Sequence, residues 1–282
     1  MKSDKFGPPV ATAEQQQAVA NMLKKLQPAV VPHSFPNLLI IGPQCTGTTW
    51  VYRNLESHPQ VMFSTEKEPH FFAEHSLMDF IDSGELPDLA AYQQMFARPF
   101  MKRVLGPKPF ILAEATASYA WQPTYIIDAI TSFKPDVKAI MLVRNPVEKL
   151  WSNFRRKMVD EGWYQSLDEV PEAVIEQFIQ EPRQIYSASF TKMIANWKAR
   201  LQPGHLFIGR FDDLSARPAE LMRDIFQFLQ IDGRIQVDEA VNKNKIRISS
   251  KMDLPEKYRN LLKQTFADEL ALLASEYGYS WE

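Results

Sequence analysis

The sequence is poor in cysteine and lacks long apolar stretches. Cys45 is the only cysteine among 282 residues, which excludes an intrachain disulfide and a cysteine-based zinc site and favours a reducing compartment. No stretch approaches the ~18 apolar residues that a membrane-spanning helix requires. The first 26 residues contain no apolar segment of signal-peptide length. We therefore expect a cytoplasmic protein with no membrane partner.

An excess of charge of either sign is also absent. The chain has 32 basic and 34 acidic side chains and a net charge of -2, so no overall field attracts it to nucleic acid. A polyanionic ligand must then be held by a local basic pocket. The five histidines show no metal-ligand spacing, and we predict no metal site. The composition leaves the oligomeric state open.

Short apolar runs alternate with helical patterns along the chain. The runs occupy residues 37–42, 60–64, 110–115, 137–144 and 205–210. Strands that alternate with helices predict the α/β class, with a central, mostly parallel sheet flanked by helices. We expect a loosely attached N-terminal extension over residues 1–36, with one helix from Ala13 to Leu26, and a single domain over residues 37–282. Residues 255–277 are predicted to form one long helix.

Polar or glycine residues stand at or near the carboxyl ends of several predicted strands. They are Gly42, Glu114, Arg144 and Arg210. In open parallel sheets, ligands bind outside the carboxyl ends of the strands. These four positions are therefore the first places to expect a binding site.

The stretch "GPQCTGTTW" (residues 42–50) has the glycines and threonines of a phosphate-binding loop but no lysine. A Walker A loop places lysine directly after its second glycine, where this chain has Thr48. Backbone N–H groups, two hydroxyls and a helix N-terminus still favour an anion. The missing lysine makes a kinase or NTPase a poor fit. The alternative is a tight strand-to-helix turn that uses glycine for backbone reasons alone.

A second anion site is predicted in "VKAIMLVRNPVEKLWSNFRRK" (residues 137–157). A buried strand ends at Arg144, Pro146 suits the first turn of a helix, and Ser152 follows about two turns in. Arg144 and Ser152 can converge on a phosphate beside the helix N-terminus. The alternative for Arg144 is a structural ion pair. Two anion sites on neighbouring strand ends suit a ligand with phosphate groups at opposite ends.

Several ordered stretches resemble sulfotransferases that use 3′-phosphoadenosine 5′-phosphosulfate (PAPS), in their bacterial and glycan-type branch. "PQCTGTTW" resembles their 5′-phosphosulfate loop, and "LVRNPVEKLWSNF" resembles their 3′-phosphate motif. "KEPHFF", "IYSASFTKMIANWKARL" and "HLFIGRFDDL" resemble further segments of that domain. Together they cover roughly residues 37–230. The resemblance implies a P-loop-like sulfotransferase domain that uses PAPS, releases 3′-phosphoadenosine 5′-phosphate (PAP) and needs no metal.

The resemblance also implies site residues. The implied cofactor-binding residues are Gln44, Cys45, Thr46, Gly47, Thr48 and Thr49 for the 5′-phosphosulfate, Arg144 and Ser152 for the 3′-phosphate, and Tyr186 and Arg247 as further contacts. The chain departs from the family twice, because lysines of the family fall on Cys45 and Ala115 here. The cation that steadies the leaving nucleotide is therefore unassigned, and Lys67 is our candidate.

Sulfuryl transfer also requires a base, and Glu68 and His70 both follow the second predicted strand. Glu68 is the base that the resemblance implies, whereas His70 is either a base or a ring packed beside Phe71. Lys67 is either the missing cation or a solvated surface charge. Cys45 is either a nucleophile near a helix N-terminus or a small side chain that fills the loop.

We expect an enzyme that moves a sulfuryl group from PAPS to a hydroxyl or amine of a small-molecule acceptor in a biosynthetic pathway. The acceptor pocket is predicted from variable loops, at about residues 73–108 and 155–185. One alternative is a catalytically impaired nucleotide-binding protein that keeps the PAPS cradle. The other is an atypical P-loop kinase.

Overall fold

A five-stranded sheet forms the centre of the protein. The computed structural model describes residues 11–97, 110–233 and 254–281. The strands are β1 (Leu38–Ile40), β2 (Val61–Phe63), β3 (Ile111–Ala115), β4 (Lys138–Val143) and β5 (Leu206–Arg210). They lie in the order β2-β3-β1-β4-β5, and every pairing is parallel. All five predicted strands are confirmed, and so is the α/β class.

Helices connect the strands and follow the last one. They are α1 (Ala13–Leu26), α2 (Thr48–Glu56), α3 (Glu74–Ser83), α4 (Leu89–Gln94), α5 (Thr124–Phe133), α6 (Pro146–Arg155), α7 (Glu172–Gln180), α8 (Pro182–Tyr186), α9 (Phe190–Lys198), α10 (Asp213–Ala216), α11 (Pro218–Leu229), α12 (Glu256–Thr265) and α13 (Ala267–Tyr277). Short 3₁₀ turns occupy Gln27–Ala29, Pro32–Ser34, Ala117–Trp121 and Leu167–Glu169, and a π turn, Arg156–Asp160, extends α6. Among the described ranges, no helix has both the length and the apolarity of a membrane span.

Both faces of the sheet are covered, which explains why its strands are apolar throughout. Alternate residues of β1 point to opposite faces, so that Leu39 joins one core cluster and Leu38 and Ile40 join another. The first cluster includes residues of α1, α5 and α9, and the second includes residues of α2 and α11. A third cluster holds α6, α7 and α12 together. A strand that is buried on both faces has an almost continuously apolar sequence.

The ends of the chain depart from the sequence prediction. Helix α1 forms with the predicted bounds, and Thr12 caps it by accepting a hydrogen bond from the Gln15 N–H. Its Val19 and Leu23 are fully buried in the core of the domain, so this segment is not loosely attached. The predicted C-terminal helix is two helices, α12 and α13, because Phe266 between them turns into the cluster around α6.

The topology decides where the loops meet. After β1 the chain crosses to β2, on the β3 side, whereas the connection after β4 leads to β5 on the opposite side. This reversal opens a crevice at the carboxyl ends of β1 and β4, where ligands of doubly wound sheets bind. The glycine loop and Arg144 follow these two strands and therefore face each other.

Candidate active site

The loop after β1 is a tight turn that favours glycine at position 47. Gly47 has φ of +88° at the start of α2, and a Cβ there would lie 2.5 Å from Leu214 Cδ1. Thr46 is buried, and its hydroxyl donates to the Pro43 carbonyl at 2.7 Å. Among the residues that the structure describes, no side chain caps the start of α2. The helix N-terminus is therefore free of side-chain competition for an anion.

Arg144 joins the two predicted anion sites. Its Nη1 donates to the Cys45 carbonyl at 2.8 Å, and its guanidinium stacks on Phe211 at 4.5 Å from the ring centroid. Burial lowers its pKa from the ordinary range, but an arginine stays charged in a protein. Asn145 caps α6 by accepting from the Val147 N–H at 2.9 Å. Pro146 starts α6 as predicted, and Ser152 is buried on that helix.

The segment after β2 also reaches the loop. Lys67 Nζ donates to Thr49 Oγ1 at 2.9 Å and lies 3.7 Å from Glu68 Oε1. Glu68 Oε2 is in turn 3.6 Å from His70 Nε2, and His70 Nδ1 is 3.0 Å from the Ser118 hydroxyl. The structure therefore brings Lys67, Glu68 and His70 into one chain of polar contacts that starts at the loop.

Burial sets the protonation of His70. Desolvation lowers the pKa of His70 below its ordinary value, and the nearby Glu68 carboxylate only partly offsets this effect. The imidazole is therefore neutral at neutral pH. Glu68 is about one-third exposed, so its carboxylate remains accessible from solvent.

Backbone strain is concentrated at the site. Among the described residues, non-glycine residues with positive φ are Cys45 (67°), Glu68 (57°), His70 (55°) and Gln230 (60°). Three of these four belong to the predicted site. Non-glycine residues in the left-handed region carry a conformational cost that is common at functional sites. The Glu68 N–H donates to the Ala115 carbonyl at 3.1 Å and holds this turn against β3.

Two strand-end residues that the sequence singled out have other partners. Glu114 is fully buried and accepts hydrogen bonds from the Tyr92 hydroxyl at 2.5 Å and the Thr116 hydroxyl at 2.6 Å. Arg210 donates to Asp212 at 2.9 Å and to the Ser280 carbonyl at 3.0 Å. We regard both as structural.

Tyr186, an expected cofactor contact, is half-buried at the end of α8. Lys192 Nζ lies 4.9 Å from its ring centroid. Burial, and secondarily the Glu74 carboxylate, raise its pKa. The Tyr125 hydroxyl donates to Glu74 at 2.5 Å. These neighbours associate Tyr186 with α3 and α9. Arg247, the other expected contact, lies outside the described residues.

Sequence analysis missed a buried cation, Lys149. It is fully buried on α6, and its Nζ donates to Ser187 Oγ at 2.5 Å. Burial lowers the pKa of Lys149 to about 7. A signal was available, because residues three apart share a helix face, and Lys149 is three residues before the predicted ligand Ser152. The same spacing is equally typical of a lysine on the solvent-exposed side of a helix, where most lysines lie.

Comparison with known proteins gives the family. Residues 36–234 match the model of the "Sulfotransferase family". Human "Carbohydrate sulfotransferase 15" is 24% identical over 73% of this chain and 46% of its own length. The chain thus spans about half the length of the curated relatives it matches.

Solved structures share the fold. A sulfotransferase from Alicyclobacillus acidocaldarius has a TM-score of 0.66 at 20% identity, covering 87% of this chain and 97% of that one. A mouse sulfotransferase complexed with PAP has a TM-score of 0.54 at 14% identity, covering 90% of this chain and 91% of that one. The family match covers well over half of the chain, and the parallel sheet and its glycine loop agree with it. The chain therefore belongs to the sulfotransferase family.

Proposed function

We propose that the protein transfers a sulfuryl group from PAPS to a hydroxyl or amine of an acceptor. The observation that carries this proposal is the contact of Lys67 with Thr49, because it places a cation and the adjacent Glu68 carboxylate against the anion-binding loop. In-line transfer needs a base on the acceptor side and positive charge near the leaving group. Both types of group meet here.

In this proposal the nucleotide is held at two ends. The loop from Gln44 to Thr49 binds the 5′-phosphosulfate through backbone N–H groups and hydroxyls at the start of α2. Arg144 and Ser152 bind the 3′-phosphate. Arg144 also donates to the Cys45 carbonyl, so a hydrogen bond connects the two parts of the proposed nucleotide site.

Glu68 is the proposed base. Its carboxylate takes the proton from the attacking hydroxyl or amine. Lys67 balances the charge that develops on the leaving phosphate. His70 is neutral, with its Nδ1 3.0 Å from the Ser118 hydroxyl and its Nε2 3.6 Å from Glu68 Oε2, and in this proposal it limits the positions of the Glu68 carboxylate. Lys67 thus takes over a role that the family assigns to lysines at the positions of Cys45 and Ala115.

The acceptor is proposed to carry a nucleophilic hydroxyl or amine. A small molecule is the prediction from the sequence, and the name of the human relative, "Carbohydrate sulfotransferase 15", adds sugar hydroxyls to the candidates. Glu74, which is buried four residues after His70, accepts a hydrogen bond from the half-buried Tyr125, and this polar pair is our candidate for a contact with such an acceptor.

Two measurements test the proposal. Calorimetry should show that PAP binds and that ATP binds at least about tenfold more weakly, since ATP has no 3′-phosphate for Arg144 and Ser152. Tighter binding of ATP, or no binding of PAP, would contradict the proposal. Radiolabelled PAPS should then label an acceptor in a panel of sugars, alcohols and amines. Binding without transfer to any acceptor would favour the impaired nucleotide-binding protein.

A further inference from the structure

Lys149 is a buried cation that lacks enough partners. Its side chain has 0% exposure, and its ammonium makes one hydrogen bond among the described residues, to Ser187 Oγ. That hydroxyl itself donates to the Gln184 carbonyl at 2.7 Å. An ammonium has three donors, and a buried charge is costly unless it is paired. The site is therefore incomplete without a negative group.

The charges around Lys149 do not supply that group. After burial, the strongest influences on its pKa are the Cys45 thiol, which raises it when ionised, and the cations of Arg156, Lys157 and Arg144, which lower it. None of these is a carboxylate. In addition, the buried Nε of Arg156 has no hydrogen-bond partner among the described residues. Most of the groups that act on Lys149 are therefore cations, of which Arg156 pairs with Glu161 through Nη1 at 2.6 Å.

The position of Lys149 shows which anion would fit. It lies on α6 between Arg144, which precedes the helix, and Ser152, which is three residues further along, and it shares a helix face with Ser152. The charges of Cys45 and Arg144 both influence the pKa of Lys149, which indicates that it lies within electrostatic range of the glycine loop and of the second anion site. A phosphate there would supply the missing negative charge.

We propose that Lys149 binds the phosphates of the nucleotide electrostatically and shares with Lys67 the role that the family carries at position 45. This inference rests on the proposed function. Lys67 then balances the charge that develops during sulfuryl transfer, and Lys149 contributes to binding of the nucleotide. Lys67 and Lys149 together then supply the positive charge of the lysines that are missing at positions 45 and 115.

The inference predicts a link between binding and protonation. With a pKa of about 7 in the free protein, Lys149 is about half protonated at pH 7. A bound polyanion raises that pKa, so binding takes up protons. PAP affinity should be highest below pH 7, where Lys149 is mostly protonated, and should fall as the pH rises above 7. The facing groups that also titrate or carry charge are Cys45, Arg144, Arg156 and Lys157.

The test compares Lys149→Met, Lys149→Arg and a control, Lys138→Met, by PAP calorimetry at pH 7 and pH 9 and by thermal melting without ligand. Lys138 is a half-buried lysine at the other end of β4. We expect Lys149→Met to weaken PAP binding about tenfold to a hundredfold at pH 7 and to lose most of the pH dependence. Its melting temperature should not fall. Lys149→Arg and Lys138→Met should bind within about threefold of wild type.

Two results would overturn the inference. One is PAP binding by Lys149→Met within about twofold of wild type at pH 7. The other is weaker binding together with a lower melting temperature in both the Met and Arg variants, which indicates a packing role. Failure of the wild-type protein to bind PAP would instead overturn the proposed function, so the two failures are distinguishable.

Discussion

Lys67 and Thr49 are 18 positions apart in the chain, and the Lys67 ammonium donates a hydrogen bond to the Thr49 hydroxyl at 2.9 Å. This contact joins the segment after β2 to the start of α2. It makes Lys67 the side chain that can balance charge at the loop from the acceptor side.

Lys67→Met should lower the turnover of PAPS by roughly 10²-fold, which is typical for the loss of one transition-state donor. PAP affinity should change less than turnover, because the charge is needed most when the leaving group develops. Steady-state rates and PAP calorimetry measure the two effects. Lys134→Met is the matched control, since Lys134 pairs with Asp136 in the turn before β4, at the amino end of that strand. Equal losses of turnover in both variants would contradict the role of Lys67.

Glu68→Gln should lower turnover by roughly 10²- to 10⁴-fold while PAP still binds, because a carboxamide cannot accept the acceptor proton. His70→Asn should have a smaller effect of about tenfold, since His70 holds Glu68 and is itself neutral. Measurements of turnover and of PAP affinity in both variants decide which of the two residues is the base. A larger loss in His70→Asn than in Glu68→Gln would make His70 the base.

Gly47→Ala should lower the free energy of unfolding by at least about 2 kcal/mol, because it combines a left-handed backbone with a clash. The clash is with Leu214 Cδ1, 2.5 Å from the new Cβ. Gly204→Ala is the matched control, because Gly204 also has positive φ, +80°, but has nothing within 4 Å of a Cβ. It should lose only about 1 kcal/mol. Urea unfolding measures both, and equal losses would show that the contact with Leu214 relaxes freely.

Cys45→Lys, which restores the family lysine, should not raise the PAP affinity of the otherwise wild-type protein. The new ammonium would join Arg144 and Lys149, whose charges already repel each other. In a Lys149→Met background, the same substitution should instead increase PAP affinity. The double-mutant cycle should give a coupling of about 1 kcal/mol or more, measured by calorimetry with Cys45→Met as the size control. Additive effects would show that positions 45 and 149 do not share one electrostatic role.

Lys149 should also make folding stability depend on pH. Its pKa is about 7 when folded and 10.5 ordinarily, so the unfolded chain binds more protons between these values, and stability rises with pH across that window. The contribution is roughly 2 kcal/mol between pH 7 and pH 9. Urea unfolding of wild type and Lys149→Met at both pH values isolates it. Identical pH dependence in the two proteins would contradict the low pKa.

The alternation of strands and helices, the glycine loop after β1 and the start of α6 at Pro146 could be predicted because each depends on local sequence. Apolar runs specify strands buried on both faces, Gly47 marks a backbone conformation that other residues avoid, and Pro146 marks a helix start. Each of these signals is contained within a few consecutive residues. The family resemblance then gave the loop its chemical meaning.

Other features depend on contacts between distant segments, and only the tertiary structure decided them. The periodicity of α1 predicted a helix but could not show that Val19 and Leu23 are buried in the domain core. Lys67 reaches Thr49 because β2 and β1 end at the same edge of a parallel sheet. Lys149 is buried because α7, α8 and α12 close around α6. The sequence alone does not show whether a lysine is buried, because burial depends on the segments that the fold packs around it.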